Sequence, residues 1–269
     1  MTSALATGQR CLPALTGLLA VAALFGAWQA AASAHWLADG FVPSLADIWR
    51  ATKHLVGTGE IGVNLMATLR AGAWGLAAGI LTGVPLGLSM ALLPVFDRIV
   101  TPVVRCTYAL PKTTLIPLLV LWFGVGGATN VIVIAITAAL PLIVYSLRGA
   151  REAPRVLLWS ARSLGTSRAG VLWRVVLPAA LPQILTGVRV ALGFTLLVAI
   201  SCEMIVANQG IGKLIGQYGD QGSYDYLFAA LFVTTVVAYA LDASLRWSSS
   251  TLLRWHESGQ RERQGGRHG

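Results

Sequence analysis

Residues 148–182 read RGAREAPRVLLWSARSLGTSRAGVLWRVVLPAALP and form the longest polar interruption in an otherwise apolar chain. Arg148, Arg151, Arg155, Arg162, Arg168 and Arg174 face a single acid, Glu152, so the segment is basic and water-exposed between two hydrophobic runs. Basic segments beside membrane spans stay on the cytoplasmic side. Arg151, Arg155 and Arg162 recur at helical spacing, with Leu157, Ala161 and Leu164 as an opposing stripe. Pro154 suits only a first turn, where its missing donor costs nothing, and Gly165 marks a stop. The spacing predicts a short amphipathic helix ending near Gly165, then a weaker helical piece over Val171–Leu177 that Pro178 cuts. Periodicity alone is equally consistent with a membrane-surface helix held by basic anchors.

Outward from this segment the chain is apolar. Of 269 residues, 55% are hydrophobic and 12% charged, with a mean hydropathy of +0.68, which excludes a soluble domain and indicates an all-α polytopic membrane protein. The net charge of +9 resides in short loops and a tail beside apolar runs, a pattern of membrane topology rather than of nucleic-acid binding. Cys11, Cys106 and Cys202 stand inside or beside apolar runs at no metal or disulfide spacing, and read as packing residues.

Six spans are expected. Residues 13–34 are uncharged and long enough for a bilayer core of about 30 Å. Ala32-Ser33-Ala34 resembles a signal-peptidase site, but 22 apolar residues exceed the usual hydrophobic region of about 7 to 15, which favours a retained span. Residues 35–63 form an external segment, with an amphipathic helix after Pro43-Ser44 and Trp36 and Trp49 at the interface. The second span covers Ala71–Leu93, with Gly72, Gly75, Gly79, Gly83 and Gly87 at close-packing spacing, and Pro94–Arg98 makes a turn. Gly124–Asn130 divides the next apolar stretch into a third span, Ile99–Phe123, and a fourth, Val131–Leu147. The fifth covers Gln183–Val206 and the sixth Tyr226–Trp247. The core is thus 64–257, after an N-terminal segment and first span over 1–34, and a polar, basic tail over 258–269 is expected to be disordered. The excess of arginine on the side of residues 148–174 and the tail puts both termini in the cytoplasm.

Ala161, Gly165, Val175, Leu177 and Pro178 resemble the Glu-Ala-Ala…Gly…Ile-x-Leu-Pro loop of permease subunits in ATP-binding-cassette importers, with Trp159 and Ser160 replacing the Glu and first Ala. Asn64–Arg70, Trp122–Gly126, Leu177–Pro182, Gly187–Gly193, Cys202–Ile205 and Gly210–Gly212 extend the resemblance to the nitrate, sulfonate and taurine branch, over residues 40–255. It implies a type I importer permease fold in which the loop 148–182 forms cytoplasmic coupling helices. Arg151, Glu152, Arg155, Ala161, Arg162, Leu164, Gly165, Val175, Leu177 and Pro178 would then engage an ATPase. It also implies a homodimer in the inner membrane, two cytoplasmic ATPase subunits and an extracytoplasmic solute-binding protein. Independently, the chain contains no Gly-x4-Gly-Lys-Ser/Thr phosphate cradle, no Gly-x-Ser-x-Gly elbow and no His-Glu-x-x-His pair, so ATP hydrolysis is expected elsewhere, and neither cofactor nor metal is expected.

Charged residues within spans are costly and mark function by default. Lys112, beside Thr113 and Thr114, suits a pathway for an anion, or else pairs with Asp242 or a backbone carbonyl. Glu203, about 30 Å along the fifth span, suits an outer gate or a contact with the binding protein, or else an interhelical carboxylate. Arg189, less than two turns from the cytoplasmic end, is expected to snorkel, or else to be a functional charge, and Arg105 reads as an inner-end anchor more than a pathway residue. The Gly-rich outer loop Ala207–Tyr224 suits a surface that receives a partner. The expected activity is ATP-driven import of a small oxyanionic solute such as a sulfonate, taurine or nitrate. The alternatives are an ion-gradient-driven transporter, a permease for a thiamine precursor or other aromatic solute, and a membrane scaffold without transport.

Overall fold

The computed structural model describes the backbone of residues 3–34 and 41–252, and the side chains within them apart from 3–15, 18 and 252. Expectations about Cys11, Trp36 and the tail 258–269 fall outside the described residues. Within them the chain is helical, in order α1 (Ser3–Ser33), α2 (Leu45–Gly57), α3 (Glu60–Leu92), α4 (Pro94–Ala109), a 3₁₀ turn (Lys112–Leu115), α5 (Ile116–Phe123) and α6 (Gly127–Arg151). Then follow α7 (Arg155–Ser163), α8 (Arg168–Val171), a π turn (Leu172–Val176), α9 (Leu177–Val206), α10 (Ile211–Asp220) and α11 (Tyr224–Leu252).

Among the described residues four helical stretches are long and apolar enough to cross a membrane: Glu60–Leu92, Gly127–Arg151, Arg168–Val206 and Tyr224–Thr251. A fifth crossing arises if α4 and the pair Lys112–Phe123, bent by 94°, count as one broken span. The expectation of six spans would need α1 as well, whose described apolar stretch is Leu19–Ser33.

The chain divides into two compact units. The first comprises residues 1–61 and 215–233. Its α2 is the amphipathic helix expected after Pro43. The Ser44 amide donates to Asp47 Oδ2 (3.3 Å) while the Asp47 amide donates back to Ser44 Oγ (3.2 Å), a capping box that satisfies end groups otherwise lacking partners. Ala51, Thr52 and Leu55 face inward, and Lys53 lies over the exposed Trp49 ring. Aromatic residues knit the rest: Trp28 packs edge-on against Phe228, Phe41 stacks on Tyr224, and Tyr218 stacks on Tyr226.

The second unit, residues 62–214 and 234–269, has α6 at its centre. The glycine stripe of α3 lies against it. A Cβ on Gly79 would come within 2.7 Å of Ala138 Cβ, and one on Gly83 within 2.7 Å of the Ala139 carbonyl oxygen. Lipid offers no hydrophobic drive for helix association, so contact at this range supplies the attraction through dispersion. On another side of α6, α9 approaches through Gly149 beside Ala180 and Gly187 beside Tyr145. Three apolar clusters follow along the bundle. One joins Ile116, Val133, Ile134, Val198, Ala199 and Cys202, one Ala138, Leu142 and Ala191, and one Leu88, Ala150, Val171, Val176, Ala180 and Ile184.

The helix that carries the second span begins at Glu60, so Asn64–Arg70 before Ala71 is helical too. Two local expectations need correction. The turn expected over Pro94–Arg98 reduces to Leu93, since Pro94 is tolerated in the first turn of α4. The continuous third span is broken: Leu110 (φ −71°, ψ 135°) and Pro111 (φ −64°, ψ 114°) are extended, as a residue before proline prefers.

The cut expected at Pro178 is also absent. The π turn shifts the pairing so that the Leu177 amide donates to Leu172 O, and Pro178, which has no donor to place, enters the first turn of α9. Residues Arg168–Val206 are therefore one long helical element.

Candidate functional site

The arginine-rich segment folds as a hairpin whose base is pinned. Arg151 Nη2 pairs with Asp97 Oδ2 at 2.7 Å, and Thr101 Oγ1 donates to the other oxygen of Asp97 at 3.0 Å. Glu152 Oε2 accepts from Gln183 Nε2 at 3.1 Å. Beyond Pro154, α7 turns Leu158 and Ala161 toward the cluster of Leu88, Val171 and Ile184. Leu157 and Leu164, the other members of the expected stripe, point outward with Val156 and Trp159. Leu164 is 85% exposed and Trp159 63%.

Gly165 ends α7 as expected. Its φ of +75° suits glycine, and its amide donates to Arg162 O while Thr166 N donates to Ala161 O, the paired bonds of a Schellman cap. The return limb begins at Ser167, whose Oγ accepts from Gly170 N at 3.2 Å. The hairpin so presents an apolar knob rimmed by the exposed Arg155, Arg162, Arg168 and Arg174. Val175, Leu177 and Pro178 are half-buried in the return limb. Such a knob can enter a cleft with apolar walls and an acidic rim.

Lys112 is placed by the break after α4. Its ammonium donates to Tyr108 O at 2.6 Å and lies 5.0 Å from the Tyr108 ring centre. Of the two local partners considered for it, the backbone carbonyl is present, whereas Asp242 instead pairs with Arg189 Nε at 2.5 Å. Lys112, Thr113 and Thr137 line a cavity of about 320 Å³ with Tyr108, Pro141 and Phe194. A cation, two hydroxyls and a phenol on apolar walls fit a small anion. Thr114 is exposed and is not among the lining residues.

Glu203 is 1% exposed and stands at the centre of a polar knot. Its Oε2 accepts from Thr68 Oγ1 (2.8 Å) and the Gly212 amide (3.0 Å), and its Oε1 from Asn130 Nδ2 (3.4 Å). Thr68 Oγ1 also accepts from Ile211 N at 2.9 Å, and Asn64 Oδ1 accepts from Gly210 N at 2.9 Å. The connection between α9 and α10 is thereby fastened to α3. Gly210 has a φ of +136°, and a side chain there would run into the Glu203 carboxylate. Donors gathered on one carboxylate offset the desolvation that burial imposes.

The interhelical arrangement weighed for Glu203 is the one its contacts describe; the sequence reading assigned no role to the Asn64, Thr68 and Asn130 side chains and took Gly210 and Gly212 only as part of a partner-receiving loop. A signal was present nonetheless. The motif stretches Asn64–Arg70, Cys202–Ile205 and Gly210–Gly212, far apart in sequence, meet in this knot. Among the described residues no group of His, Cys, Asp and Glu is arranged to hold a metal.

With hairpin, cavity and knot in place, the class of protein follows. Residues 83–254 match the family of binding-protein-dependent transport system inner membrane components, and the chain belongs to that family. It is a multi-pass permease of the inner membrane, of the ATP-binding-cassette importer type. Particular relatives locate it further. The chain is 31% identical to the taurine transport system permease protein of Escherichia coli K12 over 245 residues, 89% of this chain and 88% of that one. It is 31% identical over 234 residues to a putative aliphatic sulfonates transport permease protein of the same organism, 85% of this chain and 87% of that one. A Bacillus subtilis protein of the same description is 28% identical over 248 residues, 91% and 88% of the two chains. Among solved structures, the MetNI methionine ABC transporter in inward-facing conformation aligns with a TM-score of 0.61 at 19% identity, covering 70% of this chain and 92% of that one. An amino acid ABC transporter solved with histidines gives 0.57 at 16% identity, covering 75% and 96%. The resemblance stated from the motifs is borne out at the level of family and fold.

Proposed function

We propose that this permease carries taurine or another small aliphatic sulfonate into the cell, as a homodimer with two separate ATPase subunits and an extracytoplasmic solute-binding protein. Both termini and the α7–α8 hairpin lie in the cytoplasm. Arg155, Arg162, Leu164 and Gly165 present the knob to the ATPase. Arg151 and Glu152 hold its base, and Ala161, Val175, Leu177 and Pro178 fix its limbs. Lys112 and Thr113 face the solute. Glu203 secures the outer connection that closes over the pathway. ATP hydrolysis takes place in the partner subunits.

The observation that carries this reading is the hairpin, with its exposed apolar knob, basic rim and left-handed glycine cap; the names of the relatives supply the solute class. The test is retention of the cognate ATPase by the tagged, detergent-purified permease. Around Gly165 nothing lies within 4 Å of an added Cβ, so a substitution strains only the backbone, by about 1–2 kcal/mol for most residues and less for Asn. Gly165→Asn should keep the ATPase, and Gly165→Glu should release it while the permease stays folded. Equal retention by both variants would show that the hairpin is a surface anchor.

A further inference from the structure

Arg105 and Arg148 line a second cavity, of about 520 Å³, which the reading above does not use. α4 gives it Thr101 and Arg105, and α6 gives it Ile143, Leu147, Arg148 and Arg151. The next turns of the same two helices, Tyr108 on α4 and Thr137 and Pro141 on α6, line the cavity that holds Lys112. Positions 101, 105 and 108 of α4 share one helical face, as do 137, 141, 144 and 148 of α6, so the two cavities are stacked along one groove. From Thr137 to Arg148 is about 16 Å at helical rise.

The charges along this groove are unbalanced. Arg151 is engaged by Asp97, and Glu152 is engaged by Gln183. Among the described residues no carboxylate is within ion-pair distance of Arg105, Arg148 or Lys112. Four cations, Arg105, Lys112, Arg148 and Arg151, therefore stand against two acids, Asp97 and Glu152. The exposed Arg105 and Arg148 side chains line one open cavity between helices, together with the Thr101 hydroxyl. The remaining walls are apolar apart from Thr101, whose hydroxyl is engaged by Asp97, and Glu152, whose carboxylate is engaged by Gln183, so an anion that loses water here is compensated by the guanidinium groups.

We infer that Arg105 and Arg148 form a release site for the transported oxyanion, receiving a sulfonate from the Lys112 cavity and holding it before it enters the cytoplasm. This inference rests on the reading of the chain as an importer of sulfonates. The shared chemistry is a tetrahedral oxyanion, which a lipid phosphate could also offer.

The test uses the complete transporter, permease with its ATPase and binding protein, in vesicles of neutral phosphatidylcholine and in vesicles containing phosphatidylglycerol, with labelled taurine as the probe. Arg105→Gln and Arg148→Gln are each expected to lower the maximal uptake rate about tenfold, the smaller end of what charge focusing in a cleft supplies. The half-saturating concentration of loaded binding protein and the amount of bound ATPase should not change. Arg105→Lys should recover most of the rate. Taurine loaded inside the vesicles should inhibit the wild type and should inhibit Arg105→Gln less, a response that a purely structural role would not move. Should Arg105→Gln fail to assemble, Arg105→Lys and Arg148→Gln carry the same comparison. Wild-type uptake with variants that match it in rate and in internal inhibition would overturn the release site alone. An effect confined to phosphatidylglycerol vesicles would assign the arginines to a lipid headgroup and likewise overturn it. A wild type that moves no taurine would overturn the solute reading, and the release site with it.

Discussion

Replacing Glu203 by alanine and by glutamine separates two roles that a buried carboxylate can have. Alanine removes the acceptors for the Gly212 amide and for Asn130 Nδ2, whereas the Thr68 hydroxyl can turn to Asn64 O, 3.2 Å away. Two buried donors are left without partners, each costing about 1–3 kcal/mol, or about 2–6 kcal/mol together. Glutamine keeps the acceptor for Thr68 and Gly212. Its amide can then face Asn130, whose Oδ1 is buried without a partner and can accept from it after a flip of the Asn130 amide. One unpaired atom exists before and after the change, so Glu203→Gln should cost only the difference between a charged and a neutral hydrogen bond, about 1 kcal/mol. The assay is amide hydrogen exchange of the detergent-purified permease, read at Gly210, Ile211 and Gly212, whose amides are donated to Asn64, Thr68 and Glu203. A loss of 2 kcal/mol corresponds to about thirtyfold faster exchange in Glu203→Ala, with Glu203→Gln near fivefold. If alanine changes exchange by less than about threefold, or if glutamine is as damaging as alanine, the knot does not hold the connection.

Two further outcomes test the packing and the electrostatics. Gly79→Leu should destabilise the permease by about 1–3 kcal/mol, because its side chain must enter the Ala138 contact. Gly62→Ala, with nothing within 4 Å, serves as the neutral comparison in the same thermal unfolding series. The Tyr218 hydroxyl donates to Glu60 at 3.0 Å, and burial first, then that carboxylate, pushes its pKa up to about 12. The folded state keeps this proton after the unfolded chain releases its own near the ordinary tyrosine value of 10.0, so the contribution to stability is complete below pH 10 and falls between pH 10 and 12. Ultraviolet titration of tyrosinate should lose its highest step in Tyr218→Phe, and an unchanged titration would contradict the arrangement.

What was legible in the sequence was whatever local chemistry determines. The glycines at positions 72–87 announced a close helix contact, and Pro154 and Gly165 bounded α7 because a missing donor and a left-handed residue restrict the chain wherever they occur. Long-range pairing was not legible. Thr68 and Glu203 are 135 positions apart, and neither an unexceptional threonine nor a lone acid reveals its partner. Pro111 was visible as a breaker, but whether a proline kinks a span or turns it by 94° depends on what the following segment packs against. Here that is the buried Ile116 and Leu119 against Val133 and Ile134. The outward turn of Leu157 and Leu164 has the same origin, since an amphipathic pattern identifies a stripe without identifying what covers it.

The continuity of the helix through Pro178 bears most directly on mechanism. A stop there would have left the hairpin joined to the fifth span by a flexible link. The π turn instead makes Arg168–Val206 one element of 39 residues, about 58 Å long at helical rise. One end of it carries the return limb of the basic hairpin, and the other carries Glu203. In the proposed importer a displacement imposed on the hairpin by the ATPase therefore reaches the carboxylate that holds the α9–α10 connection without crossing a loop. Leu172–Val176 departs from regular helical pairing as a π turn, a feature at which long helices commonly bend. Within that proposal the Leu-Pro pair joins hairpin and span, and Pro178 is tolerated because it enters the first turn of α9, where it has no donor to place.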